Sequence, residues 1–255
     1  MTPKQVLQRA QTETLTDKKG ERVELVVAVG LSADEMAALE RKRESPFPKE
    51  IRELLEYSRG FALRSKWTSS KFRDGGLTVE LSGQDWTGYP GWAAPASPEA
   101  GPRGLELISD ICGNPWVIDV SRQGAWGAVF YVSHDPPFIA YQANDLTSLL
   151  LELFLLFTGT HASQFIDPDV DKAQKIPLTK AAALRKSEDA ALREFASTLK
   201  DDDLVADLRE KKAGTGFAWN ALGGDTIVKR HQTALLFGLT RPERKGFLRG
   251  MFGGS

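Results

Sequence analysis

Residues 113–135 read GNPWVIDVSRQGAWGAVFYVSHD, and their reading decides the fold. Gly113-Asn114 is a turn pair, NPWVIDV has the β-branched density of a strand, and GAVFYVSH is a second strand running back. The closing Ser133-His134-Asp135 invites a catalytic interpretation. Consecutive strand residues point to opposite faces, however, so Ser133 and Asp135 turn away from His134. A nucleophile, base and orienting acid must converge, and no G-x-S-x-G elbow is present to expose a serine. The stretch reads as turn, strand, loop tipped by Trp126, and returning strand. His134-Asp135-Pro136-Pro137 then supplies the next turn.

Working outward, LELISDICG and PFIAYQA flank this pair, giving four short apolar runs with the rhythm of an antiparallel meander. GLTVEL (76–81) alternates like a half-buried strand. DLTSLLLELFLLF (145–157) is a helix with Asp145 as its N-cap; Glu152 and its length exclude a membrane span. Upstream, ERVELVVAVG (21–30) is a strand. Ser32 and Glu35 form a capping box for the helix that follows. A second helix begins near Pro48, with Ile51, Leu54, Leu55 and Ser58 on one face and Gly60 as its stop. Residues 82–104 are rich in Gly and Pro but carry Trp86, Tyr89 and Trp92, the composition of a functional loop.

Downstream, residues 159–177 read as a linker and 181–200 as one amphipathic helix bearing Leu184, Leu192, Phe195 and Leu199. LVADLR, GFAW, TIVKRH and ALLFGL are expected to build a small C-terminal sheet, and the last ten residues to fray. The implied division is an N-terminal segment (1–20), an α+β domain (21–158), a linker (159–180) and a C-terminal helix and small β subdomain (181–255). The fold class is α+β, a twisted mainly antiparallel sheet flanked by helices, with a small C-terminal helix-and-sheet extension.

Composition narrows the function. The 255 residues are 41% hydrophobic and 26% charged, the balance of a soluble globular protein. Thirty-three basic and 34 acidic residues leave a net charge of −1, so no whole-chain field draws nucleic acid or anionic membrane. Cys112 is the single cysteine, which excludes an internal disulfide and a four-thiolate zinc site; its apolar neighbours read as those of a buried thiol. The opening MTPKQVLQRAQTETL lacks the apolar core of a signal peptide, and a cytoplasmic location is expected.

The remaining constellations carry no chemistry. Asp167, Asp169 and Asp171 resemble the start of a calcium loop, but Lys172 and Leu178 stand where Gly and Glu are needed. His161 and His231 have no second ligand at metal spacing. GTGFAWNALGG (214–224) lacks a phosphate-loop fingerprint and reads as turns between strands. From Thr226 onward Lys229, Arg230, Arg241, Arg244, Lys245 and Arg249 face only Glu243, which reads as a solvated basic edge able to touch an acidic partner. No cofactor, metal or catalytic residue is expected.

GLSADEMAALERKRESPFPKEIRELLEYSRGF (30–61) resembles the opening of the SUKH superfamily, which includes yeast cell-wall regulators and bacterial immunity proteins. Phe47-Pro48 stands for its usual Leu-Pro and Arg59-Gly60 for its polar-Gly helix end. GNPWVIDV, GAVFYVSHDPPFIAYQA and the helix after them are similar to its second half, where Gly113-Asn114 opens a strand that returns to His-Asp. The stretch 207–238 is similar to the tail of a bacterial subgroup. The resemblance implies a protein-binding α+β domain, with many bacterial members neutralising a cognate toxin, and no catalytic residues. The expected function is thus a non-enzymatic protein-binding module of immunity type. A regulatory scaffold docking a cellular complex is the alternative, and a hydrolase centred on His134 is third. The partner is another protein, with neither nucleic acid nor membrane contacted directly. Trp86, Tyr89, Trp92, Trp126, His134 and Asp135 are the candidate contact residues, since aromatic side chains bury large area at low entropic cost. Asp85 and Glu99 are candidates to pair with a basic nuclease. Phe47, Pro48, Gly60, Gly113 and Asn114 are expected to be structural.

Overall fold

The computed structural model describes residues 1–17, 19–43, 46–64, 76–80, 85–86, 103–109, 113–120, 126–158, 176–210, 212–231 and 235–242. Thr2 accepts a hydrogen bond from the Gln5 amide while the Gln5 side chain accepts from the Thr2 amide, so a capping box starts α1 (Pro3–Thr12). The sequence reading gave this segment no element. Pro3, Val6, Leu7 and Ala10 are its buried residues, and the rest of the helix is polar. Packing rather than propensity holds this short helix.

Up to residue 158 the elements that follow fall where their sequence signals place them, except that the strands at 15–16, 60–64 and 85–86 were not expected, the last of them within the stretch read as a loop. β1 (Leu15–Thr16) and β2 (Arg22–Val27) pair first, and α2 (Ala33–Arg43) opens on the expected Ser32–Glu35 capping box. α3 (Lys49–Tyr57) follows Pro48 and buries Ile51, Leu54 and Leu55. β3 (Gly60–Arg64) and β4 (Gly76–Glu80) complete a four-stranded antiparallel sheet in the order β1-β2-β3-β4. β5 (Asp85–Trp86), β6 (Arg103–Ser109), β7 (Pro115–Val120), β8 (Trp126–His134) and β9 (Pro137–Ala143) form the antiparallel meander. α4 (Leu146–Leu155) closes it, with Asp145 accepting the Ser148 amide at 2.7 Å. No helix among the described residues is long and apolar enough to cross a membrane.

Past residue 176 the expectations need three corrections. The predicted helix over 181–200 is two helices, α5 (Lys180–Lys186) and α6 (Ala190–Ser197). Ser187 ends the first, and Asp189 starts the second by accepting the Leu192 amide at 2.8 Å. Local capping wins because Ser-Glu-Asp offers the backbone a better partner than a continued helix does. β10 (Leu178–Thr179), β11 (Leu204–Asp207), β13 (Ile227–Arg230) and β14 (Leu236–Thr240) make a sheet in the order β10-β11-β14-β13. β12 (Gly216–Phe217) does not join it. It pairs with β9, as the outer strand of the six-stranded sheet β12-β9-β8-β7-β6-β5. The third correction is Arg230, read as part of a solvated edge and found buried, as described below. Of the predicted linker (159–180), residues 159–175 lie outside the described residues, as do Cys112, His161, Asp167, Asp169, Asp171 and the last residues, while its end carries β10 and the first residue of α5.

The six-stranded sheet is covered on both faces. Trp116, Ile118 and Val129 face a core built with α1, α3, α4 and the first sheet, including Leu7, Leu54, Leu63, Leu149 and Leu153. Val117, Ala128, Phe130, Val132, Ile139 and Tyr141 face the other way, onto Ala206, Phe217, Val228, Phe237 and Leu239. The third sheet therefore lies on the meander, and α5 and α6 cover its outer face through Ala183, Leu192, Phe195 and Leu199. Strands covered on both faces read as near-continuous apolar runs, as VFYV and FIAY do.

Candidate functional site

Gly113 has φ +80°, a left-handed conformation that glycine takes without a Cβ penalty, and it turns the chain into β7. The next side chain is buried. Asn114 is 4% exposed, and its Oδ1 accepts the His134 backbone amide at 3.0 Å. The two ends of the opening stretch are thus joined by one hydrogen bond, which fixes the exit of β8 against the entry of β7. Asn114→Ala is expected to lower stability by about 1–2 kcal/mol, because one buried bond is lost. Asn114→Asp, which keeps an acceptor, should lose less in a thermal melt.

Ser133 and His134 occupy opposite surroundings. Ser133 is 2% exposed, and its carbonyl accepts the Trp219 indole N–H at 2.8 Å; His134 and Asp135 are exposed. The three side chains do not converge, in line with strand geometry. His231 lies far along the chain, in ring contact with Phe195 at 5.2 Å. No group of three metal-ligating side chains occurs among the described residues.

The candidate contact residues divide between two ends of the sheet. Trp126 and His134 are the first and last residues of β8, about 26 Å apart at ~3.3 Å per residue. Trp126 is half-buried and packs on Phe47, with ring centroids 6.0 Å apart. Phe47 itself is 5% exposed, and its amide donates to the Glu40 carboxylate, which also holds Arg52. Trp86 pairs with Gly104, Gly104 with Asp119, and the neighbouring Val120 with Trp126. Both tryptophan positions therefore lie at one end, three strands or about 14 Å apart. Asp85 is the other residue of β5. Tyr89, Trp92 and Glu99 lie outside the described residues. At the opposite end His134, Asp135 and Pro136 form the exposed β8–β9 turn, with Gly113 exposed beside them in register. Pro48 precedes α3, and Gly60 begins β3 with its amide bonded to the Ser58 hydroxyl at 3.0 Å.

Sequence reading missed the strongest electrostatic feature. Asp119 of β7 and Arg230 of β13 form an ion pair with side chains only 5% and 4% exposed. The guanidinium carbon lies 5.3 Å and 5.5 Å from the ring centroids of Phe130 and Phe237. Burial pushes the Asp119 carboxyl up and Arg230 opposes that; burial likewise lowers Arg230 while Asp119 opposes. A β-bulge sets Gly127 and Ala128 opposite Asp119. Only register could have signalled a pair 111 residues apart.

A second charged feature lines a surface cleft of about 530 Å³, floored by Leu178, Ala183, Leu192 and Val205. Arg209 holds Asp207 through two bonds, at 3.0 and 2.7 Å, and reaches Asp189 at 2.7 Å. Its hydrogen bonds to Asp207 raise the guanidinium pKa. The bond to Arg209 lowers Asp189, while burial works to raise Asp207 and Arg209 outweighs it. One guanidinium thus holds both carboxylates.

The described elements form an α+β fold with exposed residues at the β8–β9 turn. Residues 30–152 match the model of the SMI1 / KNR4 family (SUKH-1), a match that supports membership of the SUKH superfamily for that segment. Comparison with curated proteins and with solved structures found no match.

Proposed function

We propose that this protein is a non-enzymatic protein-binding module of the immunity type, acting by neutralising a cognate protein toxin. The family segment over 30–152 carries this reading. The β8–β9 turn supports it as a contact surface: His134, Asp135 and Pro136 are exposed at the end of a rigid sheet. Asn114 and Trp219 fix the backbone on the β8 side of the turn, at His134 and Ser133. Pre-organised residues of this kind lose little entropy on binding. A cytoplasmic location belongs to the same proposal.

The test is capture of a partner by tagged full-length protein from its native host, followed by mass spectrometry. One protein is expected to co-purify in stoichiometric amount and to be toxic when expressed alone. Recovery of no stable partner under several growth conditions counts against the module. A doubly substituted chain, His134→Ala with Asp135→Ala, should change stability by no more than about 0.5 kcal/mol, since both side chains are exposed. It should capture the partner at least ~10-fold less efficiently, a loss of about 1.4 kcal/mol in binding. Unchanged capture would move the contact to the Trp86–Trp126 end.

A further inference from the structure

The outer edge of the six-stranded sheet is closed by the chain itself. The Tyr141 amide donates to the Thr215 carbonyl at 2.9 Å, and the Gly214 amide donates to the Tyr141 carbonyl at 2.7 Å. Gly216 then lies opposite Ala140 and Phe217 opposite Ile139. Three features make this short strand selective. A Cβ on Gly216 would sit 1.9 Å from the Ile139 carbonyl oxygen, so the position admits only glycine. Phe217 is fully buried, with its ring centroid 5.0 Å from that of Phe237. Trp219, two residues on, donates to the Ser133 carbonyl. The edge thus accepts an extended Gly-Phe-x-Trp segment, by backbone pairing for affinity and by one aromatic pocket and one indole bond for selection.

Only two residues of the segment count as paired strand, although β9 is seven residues long. Exposed turns follow at Ala221 and Gly223–Asp225. Elements held by few backbone bonds open at lower free energy than the ladder beneath them. We infer that residues 214–219 are a releasable strap, and that the β9 edge beneath it is a strand-addition site for a partner's extended segment of the same glycine–aromatic–x–tryptophan chemistry. This inference rests on the protein-binding reading above and names where such a partner joins the sheet.

The first test is hydrogen exchange, followed by NMR on the unmodified full-length protein. Tyr141 points its amide at the strap, so in an antiparallel strand the adjacent Ala140 amide points at β8. The Tyr141 amide is expected to exchange at least ~10-fold faster than that of Ala140. Exchange of the two at one rate would show that the strap opens only when the sheet does, and overturns the proposal. The second test uses a fluorescent peptide of residues 212–221 with the full-length Gly216→Val chain, whose strap cannot seat. Anisotropy should report binding to this variant, binding at least ~10-fold weaker to the wild type, whose own strap competes for the edge, and none for a peptide carrying Phe217→Ser. A folded Gly216→Val chain that ignores the peptide, or a wild type that takes it equally well, sinks the idea. If Gly216→Val fails to fold, the exchange rates decide. Neither readout needs the natural partner, so capture of a partner by a chain that fails both would remove the strap and leave the binding module standing.

Discussion

Replacing Arg230 with methionine is expected to cost about 3–5 kcal/mol, because it strands a carboxylate that the fold has already taken out of water. Asp119 is 5% exposed at the side chain, with Phe130 and Phe237 flanking its partner. For a chain of this size the loss corresponds to a fall in Tm of roughly 10 °C. The double replacement Asp119→Leu with Arg230→Met should recover most of it, since two apolar groups satisfy that interior as well as a desolvated pair does. The single variant also carries a pH signature. The folded-state pKa of Asp119 is raised by burial, and removing Arg230 removes the charge and hydrogen bond that lower it. A folded pKa above the unfolded one means that the folded state binds the extra proton. Stability is therefore fully present below the ordinary carboxylate value of 3.8 and lost as pH rises through the folded pKa. Chemical denaturation of Arg230→Met should accordingly show its deficit relative to wild type at neutral pH, narrowing on acidification. A deficit independent of pH, or a double variant no better than the single one, would place the loss in packing rather than in the stranded charge.

The residues that announce local structure in the sequence are those whose partners are close along the chain. Ser32 and Glu35, Asp145 with Ser148, and the apolar face of Ile51, Leu54 and Leu55 all act within one or two helical turns, and each is placed as read. The meander was legible for the same reason, since each strand pairs with its neighbour across a short connection. What escaped depends on distant partners. GFAW looks like any short strand of the C-terminal sheet; only the pairing of Gly216 with Ala140 and of Phe217 with Ile139 shows that it belongs to β9. Arg230 sits in a basic run and reads as solvated, until register brings Asp119 against it. Trp126 illustrates an intermediate case. Its place at a hairpin end was legible, but its contact with Phe47, from the family's first motif, was not. The candidate contact residues were chosen as one surface, and the strand that carries two of them separates them by its full length.

A chain ending at Lys175 is expected to lose its soluble fold, although it keeps the whole segment that matches the family model. Removing the third sheet, α5, α6 and the strap uncovers Val117, Ala128, Phe130, Val132, Ile139 and Tyr141 on one face of the meander. At about 1.5–3 kcal/mol for each large side chain returned to water, the five largest represent roughly 10 kcal/mol. That equals the entire stability of an ordinary domain, ~5–15 kcal/mol. The same cut strands Asp119, so the electrostatic loss argued for Arg230→Met adds to the apolar one. It also leaves the edge of β9 open beside an apolar patch, the arrangement that natural sheets avoid because other chains add to it. Expression of residues 1–175 should yield aggregate or a species that elutes far above monomer size, while residues 1–242 behave as the full chain does. A monomeric 1–175 with a cooperative melt would mean that the meander carries its own cover. In that event the second face, rather than the sheet ends, becomes the surface on which a partner is to be sought.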